Sequence, residues 1–276
     1  MKTASLVQSY SRWALVILLS LFYIYPLYML VVFSLKSNEN MFSSAFGLTG
    51  DFHFSNYVEA WTASNFERAL FNSGLISIIS VVVMILLGAM ASYPLARRQG
   101  KLSTFLNLFF VAGLIVPMQL NLIPLFKMMS SLNLNHSHLG VILLYISFGL
   151  PLTIFLFTGF MRSLPLELEE AAQIDGSSRT GIFFRILLPL LKPIATSVFI
   201  LQFLTIWNDF FLPVVFLNTD KLQTVQVAVY SFAGRYDNDW SHMFPMIVIS
   251  IAPVMLLYIF LQRFIIAGIM SGAVKG

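Results

Sequence analysis

Six runs of about 20 mostly apolar residues limit what this chain can become, because that length matches the hydrocarbon core of a bilayer. They lie at roughly 13–35, 70–95, 105–127, 139–161, 194–217 and 244–266. Of the 276 residues 58% are hydrophobic and only 10% charged, whereas a soluble domain usually carries about 25% charged residues. Lipid therefore takes the place of water around most of this chain. Backbone polar groups in lipid must be satisfied internally, so the expected fold is an all-α integral membrane protein with six transmembrane helices. Pro26, Pro94, Pro117, Pro124, Pro151, Pro213 and Pro253 fall in or at the ends of these runs, where neighbouring helices can satisfy the freed carbonyls. Lys2 and Arg12 precede the first run, as in a signal peptide. That run is too long for a signal h-region and no small-residue cleavage site follows, so it reads as a retained helix.

The distribution of charge orients the runs. The net charge is +4, but the basic residues come in small groups and form no single stripe, which argues against a nucleic-acid partner. With the N-terminus inside, eleven Lys and Arg fall on inner segments and five (Lys36, Arg68, Lys127, Lys221 and Arg235) on outer ones. The turn at 97–101 is the sharpest case, holding Arg97, Arg98 and Lys101 and no acid. By the positive-inside bias both termini are expected in the cytoplasm, and so is the segment between the fourth and fifth runs. Cysteine is absent, so no disulfide or thiolate site enters the argument.

That inner segment is unusual. LEEAAQIDGSSRTGIFFRILLPLLKP, residues 168–193, holds Glu169, Glu170, Asp175, Arg179, Arg185 and Lys192 between two of the oiliest stretches. Ser163 and Pro165 suit a helix start, and Leu166 to Ile174 suit a short helix. Gly176 can adopt the left-handed conformation that ends it, with Ser177 and Ser178 ready to cap a second helix over about 179–187. The pattern predicts a helix–turn–helix elbow. Ala171 and Ala172 leave room for the close approach of another wall, and Glu169, Glu170 and Asp175 offer acceptors to a basic partner. On physical grounds alone, a solvated loop joining two spans accounts for the segment equally well.

Glu170-Ala171-Ala172, Asp175-Gly176, Phe183, Ile186 and Leu188-Pro189 together resemble the EAA motif of ABC importer permeases. More of the chain is similar to the MalG-like permeases of carbohydrate importers. Asn72-Ser73, Tyr93-Pro94-Leu95-Ala96-Arg97, Pro117 with Gln119, Pro124-Leu125-Phe126, Trp207-Asn208-Asp209-Phe210 and the ending from Gln262-Arg263 to Gly276 carry that likeness. The resemblance implies a type I ABC importer permease fold with cytoplasmic coupling helices. It implies an N-terminal transmembrane helix and first external loop over 1–67, and a transmembrane core over 68–276 with the elbow at 163–193. It also implies that Glu170, Ala171, Ala172, Asp175, Gly176, Phe183, Ile186, Leu188 and Pro189 form the coupling contact with an ATPase. The partners it implies are a second, homologous permease, two ATP-binding subunits holding ATP and Mg, and an extracytoplasmic solute-binding protein, in a bacterial inner membrane. The cargo it implies is a sugar or oligosaccharide. A non-sugar cargo on the same architecture is the alternative, and a self-contained secondary transporter a more distant one. The latter would want ionisable groups near the midplane, and Asp209 is the main acid in the spans.

No P-loop, HExxH or GxSxG pattern occurs, so the chain is expected to be neither an ATPase nor another enzyme, and to need no cofactor of its own. His136 and His138 beside an outer loop read as wetted residues more readily than as metal ligands. Gln119 and Asn121 in the third run, with Gln202, Thr205 and Asn208 in the fifth, are candidates for a translocation path, because polar groups in spans tend to face a cavity. Trp207, Phe210 and Phe211 offer faces on which a sugar ring can stack. Interhelical hydrogen bonding and an interfacial aromatic belt explain the same residues. The outer stretch 218–243 mixes Asp220, Lys221, Arg235, Asp237 and Asp239 with Tyr230, Phe232, Tyr236 and Trp240. It suits either transient docking of a soluble partner or a passive loop.

Overall fold

The computed structural model describes residues 2–43, 52–63, 65–217, 219–233 and 239–273, and the secondary structure among them is helical. Helix α1 runs Lys2–Ser34, with α2 at Asn40–Ser43, α3 at Ser55–Ala63 and α4 at Phe66–Arg97. Then come α5 (Lys101–Gly113), α6 (Leu122–Ser131), α7 (His138–Arg162) and α8 (Glu167–Ile174). The remainder is α9 (Arg179–Ile182), α10 (Leu188–Leu190), α11 (Lys192–Trp207), α12 (Phe211–Phe216), α13 (Val225–Phe232) and α14 (Trp240–Ala273). By length and composition, four helical stretches can each cross a membrane: Ser11–Ser34, Phe66–Arg97, His138–Arg162 and Trp240–Gln262. Two bent pairs bring the total to as many as six among the described residues.

The bends are where the simple pattern fails. The apolar run at 105–127 is broken into Lys101–Gly113 and Met118–Ser131, which meet at 88°. Pro117 lacks an amide hydrogen and is extended (ψ 129°), and a 3-10 turn at Met118–Asn121 follows it. The fifth run is not continuous over 194–217 either. Its helix α11 starts at Lys192, bent 69° from the Arg179–Leu190 stretch, with Pro189 and Pro193 flanking the break. Its 16 residues rise about 24 Å, short of the ~30 Å hydrocarbon core, before the chain breaks again ahead of α12. Asp209 makes that second break. Its carboxylate accepts the amides of Phe211 (2.9 Å) and Leu212 (3.2 Å) and the Tyr145 hydroxyl (2.8 Å).

The chain divides into two compact units, Met1–Glu67 with Ala228–Pro253, and Arg68–Val227 with Val254–Gly276. In the first, Asn56 donates to the carbonyls of Ser34 (3.2 Å) and Lys36 (2.9 Å), tying α3 to the end of α1. Phe33 packs on Phe244 at 5.2 Å. Most of α1 faces outward: only 6% of its most apolar window is buried, and Phe22 and Tyr23 are 71% and 73% exposed. Such a surface is stable only against lipid or another apolar partner.

The second unit is built around α7, half of whose apolar window is buried. Three helices meet at Gly149 of α7. A Cβ there would collide with the Met84 sulfur of α4, and the Gly149 carbonyl accepts the Gln202 amide of α11 at 3.2 Å. In lipid, where apolar burial gives little drive for helix association, such close approach at small residues takes its place. Gly149→Val should therefore wedge α4 from α7 and cost about 1–3 kcal/mol by overpacking. A lower thermal midpoint of the purified protein is the expected readout, and an unchanged midpoint would refute the packing argument.

Candidate functional site

The elbow forms from local chemistry first. Gly176 sits at φ +81° after α8, and the amides of Gly176 and Ser177 return to the carbonyls of Gln173 (3.0 Å) and Ala172 (2.9 Å). This pair of bonds satisfies carbonyls that the helix end would leave open, and the left-handed residue they require is cheap only for glycine. Ser178 then caps α9, its hydroxyl accepting the Gly181 amide at 3.2 Å. The second arm does not stop near 187. A π-helical turn at Phe183–Leu187 joins α9 to α10, and the chain turns at Leu191.

The elbow is locked to α4 by a carboxylate. Glu169 is 4% exposed; one oxygen accepts the Arg97 Nε at 2.6 Å, the other the Tyr93 hydroxyl at 2.9 Å. Arg97 also reaches the Leu164 carbonyl at 3.3 Å. Tyr93 and Arg97 stand one turn apart on α4 and so share a face. The sequence reading, which offered Glu169 to a partner, is corrected here: this acid is used within the chain. Its signal was present in the spacing of Tyr93 and Arg97 at the end of a span, with an acid ahead of Glu170, and needed only the fold to bring them together.

Around this lock the elbow sorts its residues. Ala172 is 6% exposed and packs with Ile182 and Leu187, so its small size serves contact between the two arms and not an external wall. Phe183 is buried in a cluster with Ala89, Phe157, Met161, Leu191 and Val198, against which Leu188 also packs, and Ile186 is half-buried beside Ala172. Glu170, Ala171, Asp175, Gly176 and Pro189 are exposed. Asp175, Gly176, Ser178 and Arg185 line an open notch of about 640 Å³ at the turn.

The five polar span residues part company. Gln202 is buried and donates to the Gly149 carbonyl, so it serves helix packing. Thr205 and Asn208 are exposed, each donating to its own helix, at Leu201 O (2.8 Å) and Leu204 O (2.9 Å). Gln119 is exposed and Asn121 half-buried at the bend after Pro117, and neither side chain has a hydrogen-bond partner among the described residues. Trp207 is 4% exposed and stacks on Phe203 (5.5 Å), which leaves Phe211, at 38% exposure, the more available ring.

The 218–243 stretch is partly pinned among its described residues. Asn72 donates to the carbonyls of Lys221 (3.1 Å) and Gln223 (3.0 Å), and Ser73 accepts the Val225 amide at 2.9 Å. This gives the Asn72-Ser73 pair its work, a role the sequence reading missed. His138 lies 3.3 Å from the Leu222 carbonyl. Arg235, Tyr236 and Asp237 lie outside the described residues. Asp239 is partly desolvated, which would raise its pKa. Bonds from Asn38, Ser241 and His242 outweigh that and hold its carboxyl below the ordinary value.

The lock makes a measurable claim. Arg97→Leu strands a buried carboxylate and should cost about 3 kcal/mol, whereas Arg97→Leu combined with Glu169→Leu should recover most of that. A double-mutant cycle on unfolding of the purified protein reads the coupling, and purely additive effects would show that the pair does not hold the elbow.

Comparison with known proteins extends this picture. The chain is 36% identical to the melibiose/raffinose/stachyose import permease protein MelC of Bacillus subtilis over 252 residues, 91% of each chain. It is 37% identical to the diacetylchitobiose uptake system permease protein NgcG of Streptomyces coelicolor, over 95% of this chain and 87% of that one. In structure it is similar to a chain of a bacterial ABC transporter involved in the import of the acidic polysaccharide alginate, with a TM-score of 0.79 at 20% identity, covering 94% and 97% of the two chains. A chain from the bacterial alginate ABC transporter in complex with alginate pentasaccharide-bound periplasmic protein matches with a TM-score of 0.63 at 15% identity. The binding-protein-dependent transport system inner membrane component family matches residues 70–270, a stretch that takes in Asn72, the lock and the whole elbow, and the chain belongs to that family.

Proposed function

We propose that this chain is one of two membrane subunits of an ATP-driven importer that carries a sugar or oligosaccharide across a bacterial inner membrane. The observation that carries the reading is an elbow whose Glu170, Ala171 and Asp175 are exposed while Glu169 ties it to a membrane-spanning helix. Such a part is suited to receive a push from outside the chain and pass it to α4. Relatives named for melibiose and diacetylchitobiose support the cargo class. The elbow faces the cytoplasm in this reading, as do both termini, in keeping with the Lys and Arg bias. Glu170, Ala171, Asp175, Gly176 and Pro189 form the outer contact, and Ala172, Phe183, Ile186 and Leu188 support it from within.

The remaining parts follow. ATP and Mg belong to two separate ATP-binding subunits, since this sequence has no P-loop. Two such subunits closing on each other require two elbows, and this chain supplies one, so a second homologous permease completes the core. The path runs between the permeases, with Gln119, Asn121, Thr205 and Asn208 as the polar side chains still open to it. A solute-binding protein delivers cargo to the outer face, where the stretch 218–243 is its docking surface.

Two measurements test the reading. Gly176→Val forces a β-branched residue to φ +81°, a strain of about 1–2 kcal/mol at the turn. The complete transporter carrying it should insert normally yet lose sugar uptake, and normal uptake at normal expression would refute the elbow's role. The isolated chain in proteoliposomes should neither hydrolyse ATP nor take up sugar. Uptake driven by an ion gradient alone would overturn the importer assignment.

A further inference from the structure

Two cavities at the α4–α5 turn share a wall. One, of about 480 Å³, is apolar, walled by Ala91 and Leu95 of α4 with Leu102, Leu106 and Phe110 of α5. The other, of about 430 Å³, is lined by Arg97, Arg98 and Arg162 with Thr104, and no acid lines it. Arg98, Gln99, Gly100 and Ser103 belong to both. An oily slot between a membrane-crossing helix and the first half of a broken span thus opens directly into a cationic pocket at their ends.

The arginines are not equally committed. Glu169 neutralises Arg97. Arg98 and Arg162 are both exposed; among the described residues Arg98 has no ion-pair partner, and Arg162 has only a long bond (3.5 Å) to the Leu95 carbonyl. Neither guanidinium has a carboxylate beside it, and the planar fork of each suits phosphate oxygens. Water-filled pockets of this sign attract any anion, but the adjoining apolar slot selects one that carries a hydrocarbon chain.

We propose that this composite cavity binds an anionic glycerophospholipid from the surrounding leaflet. One acyl chain lies in the slot between α4 and α5, and the headgroup phosphate sits between Arg98 and Arg162. Basic pockets between membrane helices hold acidic headgroups by the same balance of charge and oil. The assignment of that leaflet as cytoplasmic rests on the orientation proposed above; the chemical match does not. Because the pocket also contains Arg97, the lipid would occupy the same junction that the elbow is locked to, and so brace it.

The test uses the assembled transporter in mild detergent, titrated with phosphatidylglycerol or phosphatidylcholine and read by native mass spectrometry. Phosphatidylglycerol should bind at low ratio where phosphatidylcholine does not. Arg98→Gln should weaken it about fivefold, the factor expected of one charge at a headgroup, Arg98→Gln with Arg162→Gln more, while Arg98→Lys keeps most binding. Equal retention of the two lipids, or no effect of the double glutamine variant, overturns the proposal. A photo-crosslinker replacing Leu102, which lines the slot, should yield an adduct of lipid mass; an adduct with a neighbouring subunit instead would make this an assembly interface and overturn the lipid assignment. These readouts need no transport, so their failure leaves the importer reading untouched.

Discussion

Backbone hydrogen bonding in a medium without water is the constraint on which this structure turns. Every peptide group in lipid needs a partner within the chain, so the described backbone is helical and each interruption has to be repaired locally. The repairs are specific. Asp209 takes the two amides that the break before α12 exposes. Gln202 reaches across to the Gly149 carbonyl, one turn ahead of Thr153, whose own hydroxyl bonds the same oxygen at 2.9 Å. At the bend after Gly113, by contrast, the side chains of Gln119 and Asn121 are left without such partners among the described residues. Polar groups that repair the backbone and polar groups available to a solute are therefore separated by geometry, though the sequence writes them alike.

The same reasoning explains how a small elbow can matter to a large membrane body. A motif that merely hung from two flexible ends would absorb a push by swinging. Here the first arm is fixed by Glu169 to Arg97 and Tyr93, and the second arm inserts Phe183 among Ala89, Phe157, Met161 and Val198. The arms touch each other through Ala172, Ile182 and Leu187. Displacement of the turn must then move α4, α7 and α11 as a group or break a charge pair and a packed cluster together. In the proposed importer that rigidity is what converts a distant closure into helix movement.

Much of this was legible in the sequence, and the exceptions share a cause. Apolar length located the membrane-crossing segments, because lipid imposes a minimum run. The elbow was legible because Gly176 and Ser178 act through neighbours along the chain. What depended on residues far apart in the chain was not legible. Glu169 looked like Glu170 until α4 brought Arg97 to it, and Ala172 looked like Ala171 until the second arm folded back. The bend at Pro117 was hidden because proline is tolerated in spans, so its presence alone does not say whether a helix continues. Asn72 and Ser73 could be noticed as a pair but not explained until the strand of chain at 221–225 lay beside them.

Glu169 and Glu170 show how adjacent identical residues acquire opposite duties through burial alone. A carboxylate that is 4% exposed and holds two donors is worth several kcal/mol to the fold when one partner is removed. An exposed carboxylate on a helix contributes about 0–1 kcal/mol through any single ion pair, so the fold barely depends on it. In the proposed importer that indifference leaves Glu170 free for a partner: its contact would form and break as an interface opens and closes without unfolding the elbow. The reverse arrangement, with the buried lock as the moving contact, would cost the chain its own structure in each cycle. The hundred-degree turn between successive helix positions is sufficient to separate the two roles.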